Sequence, residues 1–559
     1  MFDHKTFRFH SLLIALSLLA SPNLTASAFQ FHPASNHHHH LQQHYHYDHK
    51  VHTTALFAAS SRQKRVSSLQ EWGKSNDIKT GGVAIESIPG SGLGLQATQE
   101  VPSGSLVVTV PSSVTLSVTS GSLGGPDDFS VESMFNDRKP FRALPWYAQF
   151  SLYLHKLNKI SSLKAETDLK PWLDSLPTTF DTPIRWDKKQ RDEWLQYQHM
   201  SESVDRQQEA WTDFYQKVNG ALDGTISWDD FLLGCEIARS RAFSGGYTGT
   251  PFNPLIYAFT LVLVTVYAGL GLGSLEQAAN GAALVFCASV LRDFVIPKFF
   301  KTKKYVICPI IDMANHQSLG ATANVAYEFF SDAYSLSATQ GISSGTEVYI
   351  SYGERSNDQL LQYYGFVEPN NPNDIYVMPP IREWDIGALE EAVGSPFAAG
   401  RLGKLERAGL LGKTVSEVAS STATASDDES AAAASEDDDA NGNPRGGVVL
   451  TRAAGIDLAV IQALRALVST DAEWEASGEA VGNFAAMVST ENEEKAKLVA
   501  RTALEMELQV KPTTLEEDEE LLKRAASSST SIMDDEERLA VLFRIEKKKI
   551  LKDSIARLK

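Results

Sequence analysis

Short β-type segments lie on both sides of a long helical region in the first two thirds of the chain. Trp, Leu and Tyr recur at helical spacing through Trp146–Leu157, and the pattern predicts helices over residues 140–235. Turn residues such as Pro102 and Gly104 border runs that are rich in β-branched residues, which favours strands. The predicted strands are Val83–Ile88, Leu106–Val110, Tyr305–Ile311, Val325–Phe329 and Val348–Tyr352. This succession of segments predicts an α+β fold.

From about residue 385 the pattern is helical to the C-terminus. Thr490 and Glu493 form a capping-box pattern ahead of a predicted helix over Lys495–Leu508. The acidic run Glu516–Glu520 suits the start of the next helix, because the helix dipole favours negative charge there. The low-complexity segment Ser416–Gly447 predicts a disordered acidic insert. One apolar helix face is marked at helical spacing by Leu458, Ile461, Leu464 and Val468.

The first 66 residues have the composition of targeting segments. Residues 1–28 join a basic start to the apolar run Ser11–Ala20 and end in the small residues Ala26–Ala28, as signal peptides do. That apolar run is too short to span a bilayer. Residues 29–66 are basic and contain almost no acidic residues, as in transit peptides. The two-part order resembles the plastid presequence of algae with secondary plastids, which implies a location in the chloroplast stroma; secretion is the alternative.

Composition excludes several functional classes. The chain has 559 residues, 43% of them hydrophobic, which is typical of a globular protein with room for two or three domains. Because 51 Lys and Arg stand against 69 Asp and Glu, the net charge is -18, and we expect no nucleic-acid binding. Cys235, Cys287 and Cys308 lack the CxxC spacing of a zinc ribbon. The His-rich tract lies in the predicted presequence, so we expect no metal site in the mature protein.

The segment Gly92-Leu-Gly94-Leu-Gln-Ala97 matches a variant of the dinucleotide-binding fingerprint, but its context is wrong for that function. Such a loop must open a helix that meets the pyrophosphate. Here Pro102, Gly104 and a Val-rich strand follow, so we reject NAD binding. A glycine turn between strands still allows the backbone to approach a ligand closely.

Two further clusters lie at the ends of predicted strands. Asp312-Met-Ala-Asn315-His316 follows an apolar strand, and Gly345–Gly353 contains the sequence Val-Tyr-Ile-Ser-Tyr-Gly. Tyr364-Gly-Phe366 comes shortly afterwards. Taken singly, each cluster is also compatible with ordinary core tyrosines and capped turns. Tyr349 and Tyr352 are three positions apart on a strand that runs into a turn, so each side chain could serve a different pocket.

Together the motifs resemble a split SET domain. The glycine turn, Ser240-Arg-Ala-Phe243 and the two later clusters occur in the order found in the Rubisco large-subunit methyltransferase family of plastids. The likeness begins near Trp72 and extends to the C-terminus, where Lys511–Asp518 and Arg544–Leu551 resemble that family's helical substrate-docking domain. The resemblance implies a β-rich SET domain over residues 67–368, with a helical insert at about 120–305, followed by an all-helical substrate-binding domain over residues 369–559.

The resemblance also implies S-adenosylmethionine as the methyl donor, and it implies roles for individual residues. Tyr352 corresponds to the family's catalytic tyrosine. The implied donor-binding residues are Ser91, Gly92, Leu93, Asn315, His316, Tyr364 and Phe366. The implied substrate-side residues are Arg241, Phe243, Asp312 and Tyr327. In-line methyl transfer needs a neutral amine about 3 Å from the methyl group and no metal ion. A desolvated channel with aromatic walls would lower the pKa of the incoming lysine and favour its neutral form.

The function implied by this resemblance is methylation of a lysine in a non-histone plastid protein. Rubisco large subunit and plastid aldolase are the substrates that the family suggests, and we expect a monomer. One branch of the family methylates an actin histidine and has Asn where this chain has Phe243, so Phe243 favours lysine. A non-catalytic docking protein is another alternative. The presence of Tyr352, Asn315 and His316 favours an active enzyme over that alternative.

The region between Arg241 and Pro309 is longer than in the founding member of the family. It contains the uncharged run Leu255–Leu272, which has about the minimum length of a membrane-spanning helix, and a shorter apolar run, Ala282–Leu291. Because both ends of the insert must return to one soluble pocket, we favour a buried helical pair over membrane association through residues 255–291.

Overall fold

The computed structural model describes residues 53–88, 91–119, 139–163, 169–222, 224–245, 304–328, 331–411, 447–478, 480–527 and 533–559, with the single positions 280, 283 and 287. The predicted signal peptide, the acidic insert before Gly447 and almost all of the apolar stretch 255–291 lie outside the described residues. Within the described residues, no helix combines the length and the apolar character that crossing a membrane requires.

Strands and helices alternate in blocks along the chain. The strands are β1 (Lys79–Thr80), β2 (Val83–Ile88), β3 (Gly92–Ala97), β4 (Leu106–Pro111), β5 (Leu116–Thr119), β6 (Phe243–Gly245), β7 (Lys304–Ile307), β8 (Asn315–His316), β9 (Ala323–Glu328), β10 (Ala333–Ala338), β11 (Glu347–Ile350), β12 (Ile375–Met378), β13 (Val448–Thr451) and β14 (Gly455–Ile456). The helices are α1 (Thr53–Ser75), α2 (Lys139–Arg142), α3 (Trp146–Leu163), α4 (Lys170–Leu173), α5 (Lys188–Leu195), α6 (Gln198–Ala221), α7 (Trp228–Arg241), α8 (Asn357–Tyr364), α9 (Ile386–Val393), α10 (Arg401–Arg407), α11 (Leu458–Val468), α12 (Asp471–Ala476), α13 (Thr490–Gln509), α14 (Leu515–Ser527) and α15 (Asp535–Arg557).

Small sheets bring distant parts of the chain together. Their strand orders are β1-β4-β10-β9, β2-β3-β11-β8 and β5-β7-β6. The short strand β8 runs parallel to β11, with Asn315 opposite Tyr349 and His316 opposite Ile350. Strand β11 pairs on its other edge with β3, antiparallel. The predicted glycine turn, the Asn-His pair and the Tyr-rich strand therefore lie side by side in one sheet.

Two local features differ from the sequence-based expectation in this region. Gly92 was expected within a turn but is the first residue of β3, with φ +81°. Strand β7 ends at Ile307 rather than Ile311, and Ile310, within the predicted strand, has φ +71°. A β-branched residue with positive φ is uncommon and strained, and it needs support from the surrounding structure. Ile310 has this support, since its side chain is buried in the core.

Helices cover the sheets as the sequence predicted for residues 140–235. Helices α3 and α7 approach so closely at Gly234 that a Cβ atom there would lie 2.4 Å from Ser151 Oγ. The Ser151 hydroxyl donates to the Phe231 carbonyl, 2.7 Å away. Trp146 at the start of α3 stacks on Tyr305 of β7, with ring centroids 4.2 Å apart. This contact joins the helical layer to the sheet that leads into the Asp312–His316 cluster.

The α+β fold is confirmed, and the C-terminal region is mainly helical, but the expectation of an all-helical domain is wrong in detail. The sheet β12-β13-β14 lies in it, with buried residues such as Tyr376 and Leu450. Leu458 was expected on the apolar face of α11, yet its side chain is 80% exposed because it is the first helical residue. The cap of α13 is Ser489 rather than Thr490, and the Ser489 hydroxyl accepts from the Asn492 amide.

Candidate functional site

The Asn315 side chain bridges two strands beside the glycine segment. Its amide nitrogen Nδ2 donates to the Leu93 carbonyl at 3.2 Å and to Glu347 Oε1 at 2.6 Å. The other carboxylate oxygen of Glu347 accepts from the Tyr349 hydroxyl, also at 2.6 Å. Burial and this hydrogen bond to a carboxylate raise the pKa of Tyr349. The structure thus brings together Leu93 and Asn315, as predicted, and adds Glu347 between them.

Glu347 was not among the residues predicted from the sequence. The strand pattern could have predicted its position, because side chains two positions apart on a strand share a face and Glu347 is two positions before Tyr349. Ser91 and Gly92, in contrast, are exposed and make no side-chain hydrogen bond with the other candidate residues in the described part of the chain. Because a Cβ atom on Gly92 would meet nothing within 4 Å, the backbone there faces open space.

Three aromatic rings form a stack at the end of β11. Tyr352 lies between His316, with ring centroids 4.9 Å apart and planes inclined by 24°, and Tyr364, with centroids 5.0 Å apart and planes inclined by 25°. Phe366 closes one side of the stack, with its ring centroid 6.1 Å from His316 and 6.2 Å from Tyr364. The predicted donor-side residues His316, Tyr364 and Phe366 are therefore in contact with Tyr352 or with each other.

Tyr352 is fixed at both its backbone and its hydroxyl. Its amide donates to His316 Nδ1 at 3.0 Å, and its hydroxyl donates to the Ala314 carbonyl at 2.9 Å. Because Nδ1 of His316 accepts, the neutral imidazole has its proton on Nε2. Burial raises the pKa of Tyr352, and the neighbouring Tyr364 adds to the effect. The Tyr352 hydroxyl is therefore protonated at physiological pH.

Ser318 and Glu368, which lie beside the other ring nitrogen of His316, were not predicted from the sequence. His316 Nε2 lies 3.1 Å from Ser318 Oγ and 3.6 Å from Glu368 Oε2. Glu368 also accepts from the Ser318 amide, at 2.9 Å, and from the Ser318 hydroxyl, at 2.5 Å. Burial opposes ionisation of Glu368, but the hydrogen bonds from His316 and Ser318 outweigh it and lower the pKa of the carboxyl. A carboxylate two residues after the Tyr-Gly-Phe motif was the only local signal.

Arg241 and Asp312 form a buried ion pair close to this site. Arg241 Nη1 donates to Asp312 Oδ2 at 3.0 Å and to the Asp312 carbonyl at 2.9 Å, while the Trp172 indole donates to the same carboxylate at 3.3 Å. Burial raises the pKa of Asp312 in spite of Arg241. Within the described residues, Arg241 Nε and Asp312 Oδ1 are buried and have no hydrogen-bond partner. Such unsatisfied atoms are costly, so they are candidates for contact with a bound molecule.

The two remaining predicted residues line a separate aromatic group. Phe243 packs edge-on against Tyr334, with centroids 5.7 Å apart, and Tyr334 in turn contacts Tyr327 at 5.1 Å. The Tyr327 hydroxyl donates to Asp332 at 2.7 Å. Burial, together with this carboxylate, raises the pKa of Tyr327. Among the described contacts this group has no ring contact with the Tyr352 stack, although Phe243 follows Arg241 by only two residues.

No group of three or more His, Cys, Asp and Glu side chains within the described residues is arranged to hold a metal ion. The chemistry that this site offers is hydrogen bonding, aromatic surface and one buried charge pair.

Comparison with known proteins identifies the fold. The family model described as Rubisco LSMT substrate-binding matches residues 396–551. The solved structure of the SET domain of LSMT bound to lysine and AdoHcy superposes with a TM-score of 0.52 at 18% sequence identity, covering 89% of this chain and 91% of that chain. This chain has the LSMT fold. The resemblance that the sequence motifs indicated is thereby confirmed.

Curated relatives match only part of this chain. An actin-histidine N-methyltransferase of Drosophila melanogaster is 22% identical over 56% of this chain and 51% of that protein. A chloroplastic fructose-bisphosphate aldolase lysine N-methyltransferase of Arabidopsis thaliana is 21% identical over 57% of this chain and 56% of that protein. The chain spans about half the length of the curated relatives it matches.

Proposed function

We propose that this chain is a protein methyltransferase that uses S-adenosylmethionine and modifies the side-chain amine of a lysine. One observation carries the proposal: the Tyr352 ring is stacked between His316 and Tyr364 while its hydroxyl is held on the Ala314 carbonyl at 2.9 Å. Both ends of the side chain are fixed, so the hydroxyl oxygen keeps one position. In-line transfer depends on this kind of alignment.

The described residues fit the donor at several atoms. Tyr364 and Phe366 offer aromatic surface for an adenine ring. The Leu93 carbonyl and the Asn315 amide lie 3.2 Å apart at the edge of open backbone, and a carbonyl is a suitable acceptor for an ammonium group. Arg241, which the resemblance placed on the substrate side, has an unpartnered Nε that is a suitable hydrogen-bond donor to the carboxylate of the methyl donor. When bound, S-adenosylmethionine supplies a methyl group on a positively charged sulfur.

Tyr352 acts in this proposal by orientation and not as a base. Its raised pKa keeps the hydroxyl protonated, and that proton is already donated to Ala314. The lone pairs of the hydroxyl oxygen remain available to accept a hydrogen bond from an incoming amine. The amine must therefore lose its proton to solvent, and the apolar surroundings favour its neutral form.

Histidine is the second candidate target, because relatives that match this chain are actin-histidine methyltransferases. Phe243 favours lysine over histidine, because it is an apolar residue at a position that the family resemblance puts on the substrate side. An aromatic ring there offers apolar contact to a long alkyl side chain, whereas an imidazole ring needs a polar partner when it is buried. A non-catalytic docking role would not require Tyr352 to be held in a defined orientation.

We further propose that the substrate is a plastid protein such as Rubisco large subunit or aldolase, and that the enzyme acts as a monomer. The targeting composition of residues 1–66 supports a plastid location. The Rubisco LSMT substrate-binding domain at residues 396–551 supports a protein substrate, and so does the aldolase-modifying relative of Arabidopsis thaliana.

The test is methyl transfer from labelled S-adenosylmethionine to chloroplast stromal proteins, using the full chain. Acid hydrolysis of the labelled band distinguishes methyllysine from methylhistidine. Tyr352→Phe should lower the rate about 100-fold, as loss of one positioned transition-state contact does, with little change in melting temperature. Tyr215→Phe is the matched control, because the Tyr215 hydroxyl also donates to one backbone carbonyl, that of Ile226. Equal labelling by wild type and Tyr352→Phe would contradict the role of Tyr352, and labelled histidine would contradict the lysine assignment.

A further inference from the structure

Lys547 of the C-terminal helix α15 is buried between two carboxylates, Asp358 in helix α8 and Asp374 directly before strand β12. Its Nζ donates to the Asp358 carboxylate, to Asp374 Oδ1 at 2.8 Å and to the Ile375 carbonyl at 2.7 Å. The side chains of all three charged residues are at most 3% exposed. Burial opposes the charge on Lys547, but the two carboxylates outweigh it and raise the pKa of the lysine. The three side chains therefore form a charged cluster in the interior.

Asp374 connects this cluster to Asn357, the first residue of α8. The Asn357 amide donates to Asp374 Oδ1, and the Asn357 side chain donates to Asp374 Oδ2, both at 2.9 Å. Asn357 is fully buried, and its side chain also forms a reciprocal pair with the backbone of Glu368. In that pair Nδ2 donates to the Glu368 carbonyl at 3.0 Å, and the Glu368 amide donates to Oδ1 at 2.9 Å.

Both ends of this connection reach the candidate site. Glu368 holds Ser318 through two hydrogen bonds and lies 3.6 Å from the ring nitrogen of His316. Asp358 lies in the first turn of α8, and Tyr364, the last residue of the same helix, stacks on Tyr352. The charge cluster thus supports both outer rings of the three-ring stack, by separate routes.

We propose that Lys547 is a positioning residue of the methyl-transfer site, so that the C-terminal domain completes that site in addition to binding substrate. The inference rests on the proposed function and deepens it. Lys547 pairs with both Asp358 and Asp374, which keeps the start of α8 and the Asn357–Glu368 connection in place. Without this cation Asp358 has no cationic partner among the described residues, and Asp374 keeps only Arg452, whose Nη2 lies 3.8 Å from Asp374 Oδ2. The two buried carboxylates then repel each other, and they recruit water or protons by moving apart.

The first test is hydrogen exchange of the full chain at three amide protons, each of which is accepted by a side chain of this network. They belong to Asn357, Glu368 and Ser318. Lys547→Met should speed their exchange about tenfold, in the range expected for residues coupled through one network. Lys552→Met is the matched control on the same helix, since Lys552 pairs with Glu516 at the surface. Unchanged exchange at Ser318 in Lys547→Met would overturn the proposal, as would uniform acceleration across the whole chain.

Asp374→Asn is a milder second variant, because it removes one charge of the cluster and leaves the Lys547–Asp358 pair intact. It should raise exchange at the same three amides and leave exchange in α3 unchanged. Equal acceleration in α3 would contradict the proposed connection.

Affinity for S-adenosylhomocysteine, measured by calorimetry, separates this inference from the proposed function. If wild type does not bind this product, the proposed function fails. If wild type binds and Lys547→Met binds equally well, the positioning role alone fails. The expected result is about tenfold weaker binding in Lys547→Met and unchanged binding in Lys552→Met.

Discussion

Gly94 and Asn315 are in such close contact that no side chain fits between them. A Cβ atom on residue 94 would lie 2.9 Å from Asn315 Nδ2 and 2.6 Å from Glu347 Oε1. The backbone of Gly94 lies outside the positive-φ region that favours glycine, so it is space and not backbone strain that requires glycine here. The glycine pattern that resembled a dinucleotide fingerprint thus serves to admit the Asn315 and Glu347 side chains against β3.

Gly94→Ala should displace the Asn315 side chain and weaken donor binding. Overpacking of this kind costs about 1–3 kcal/mol of stability, but the larger effect should be on the affinity for S-adenosylhomocysteine, which we expect to fall at least about tenfold. Gly482→Ala is a suitable control, because a Cβ there meets nothing within 4 Å. Wild-type affinity in Gly94→Ala would contradict the placement of the donor beside Asn315.

Arg241→Met should destabilise the protein by about 3 kcal/mol, since it leaves the buried Asp312 carboxylate unpaired. The loss should be greater at pH 8 than at pH 5. Burial raises the pKa of Asp312 in the folded state and Arg241 opposes this rise, so removal of Arg241 raises the folded pKa further. The variant therefore loses more stability than wild type as the pH rises through that pKa. Urea denaturation at both pH values measures this.

The control for this change is Lys217→Met, which removes an exposed ion pair with Asp213 and should cost less than about 1 kcal/mol. Arg241→Met combined with Asp312→Asn should recover part of the lost stability. If the double variant is no more stable than Arg241→Met, the unpaired charge is not the cause.

Glu368→Gln should reduce stability at neutral pH by about 1–3 kcal/mol, the range for hydrogen bonds to a charged group. The pKa of Glu368 is lowered in the folded state, so its contribution is present above the unfolded value near 4.5 and is lost as the pH falls through the folded pKa. The difference between wild type and Glu368→Gln in unfolding free energy should therefore shrink from pH 7 to pH 4. Glu86→Gln changes an exposed carboxylate and should show no such trend. A constant difference would show that the charge of Glu368 is not involved.

The motifs that carried the recognition of the fold are local in sequence. Asn315 and His316 were predicted as a pair, and Tyr352, Tyr364 and Phe366 were predicted from two short segments nearby. Short motifs were sufficient to predict these residues, because within each motif the side chains are only a few positions apart along the chain. Local reasoning failed at Leu458. Helical periodicity predicted that this side chain is buried, but it belongs to the first residue of helix α11 and is exposed.

Hydrophobic periodicity and motif order were enough to predict an α+β chain with strands, then helices, strands again and a helical end. These features depend on backbone preferences and on burial of every second or every third to fourth side chain, which are properties of neighbouring residues. The contacts of Glu347 with Asn315, of Glu368 with Ser318 and of Lys547 with Asp358 are of another kind. Lys547 and Asp358 are 189 positions apart, and charged side chains carry no periodic signal that marks which of them will be buried. A buried charge is stable only when it is paired with an opposite charge. The tertiary structure therefore decides which charged residues support the site.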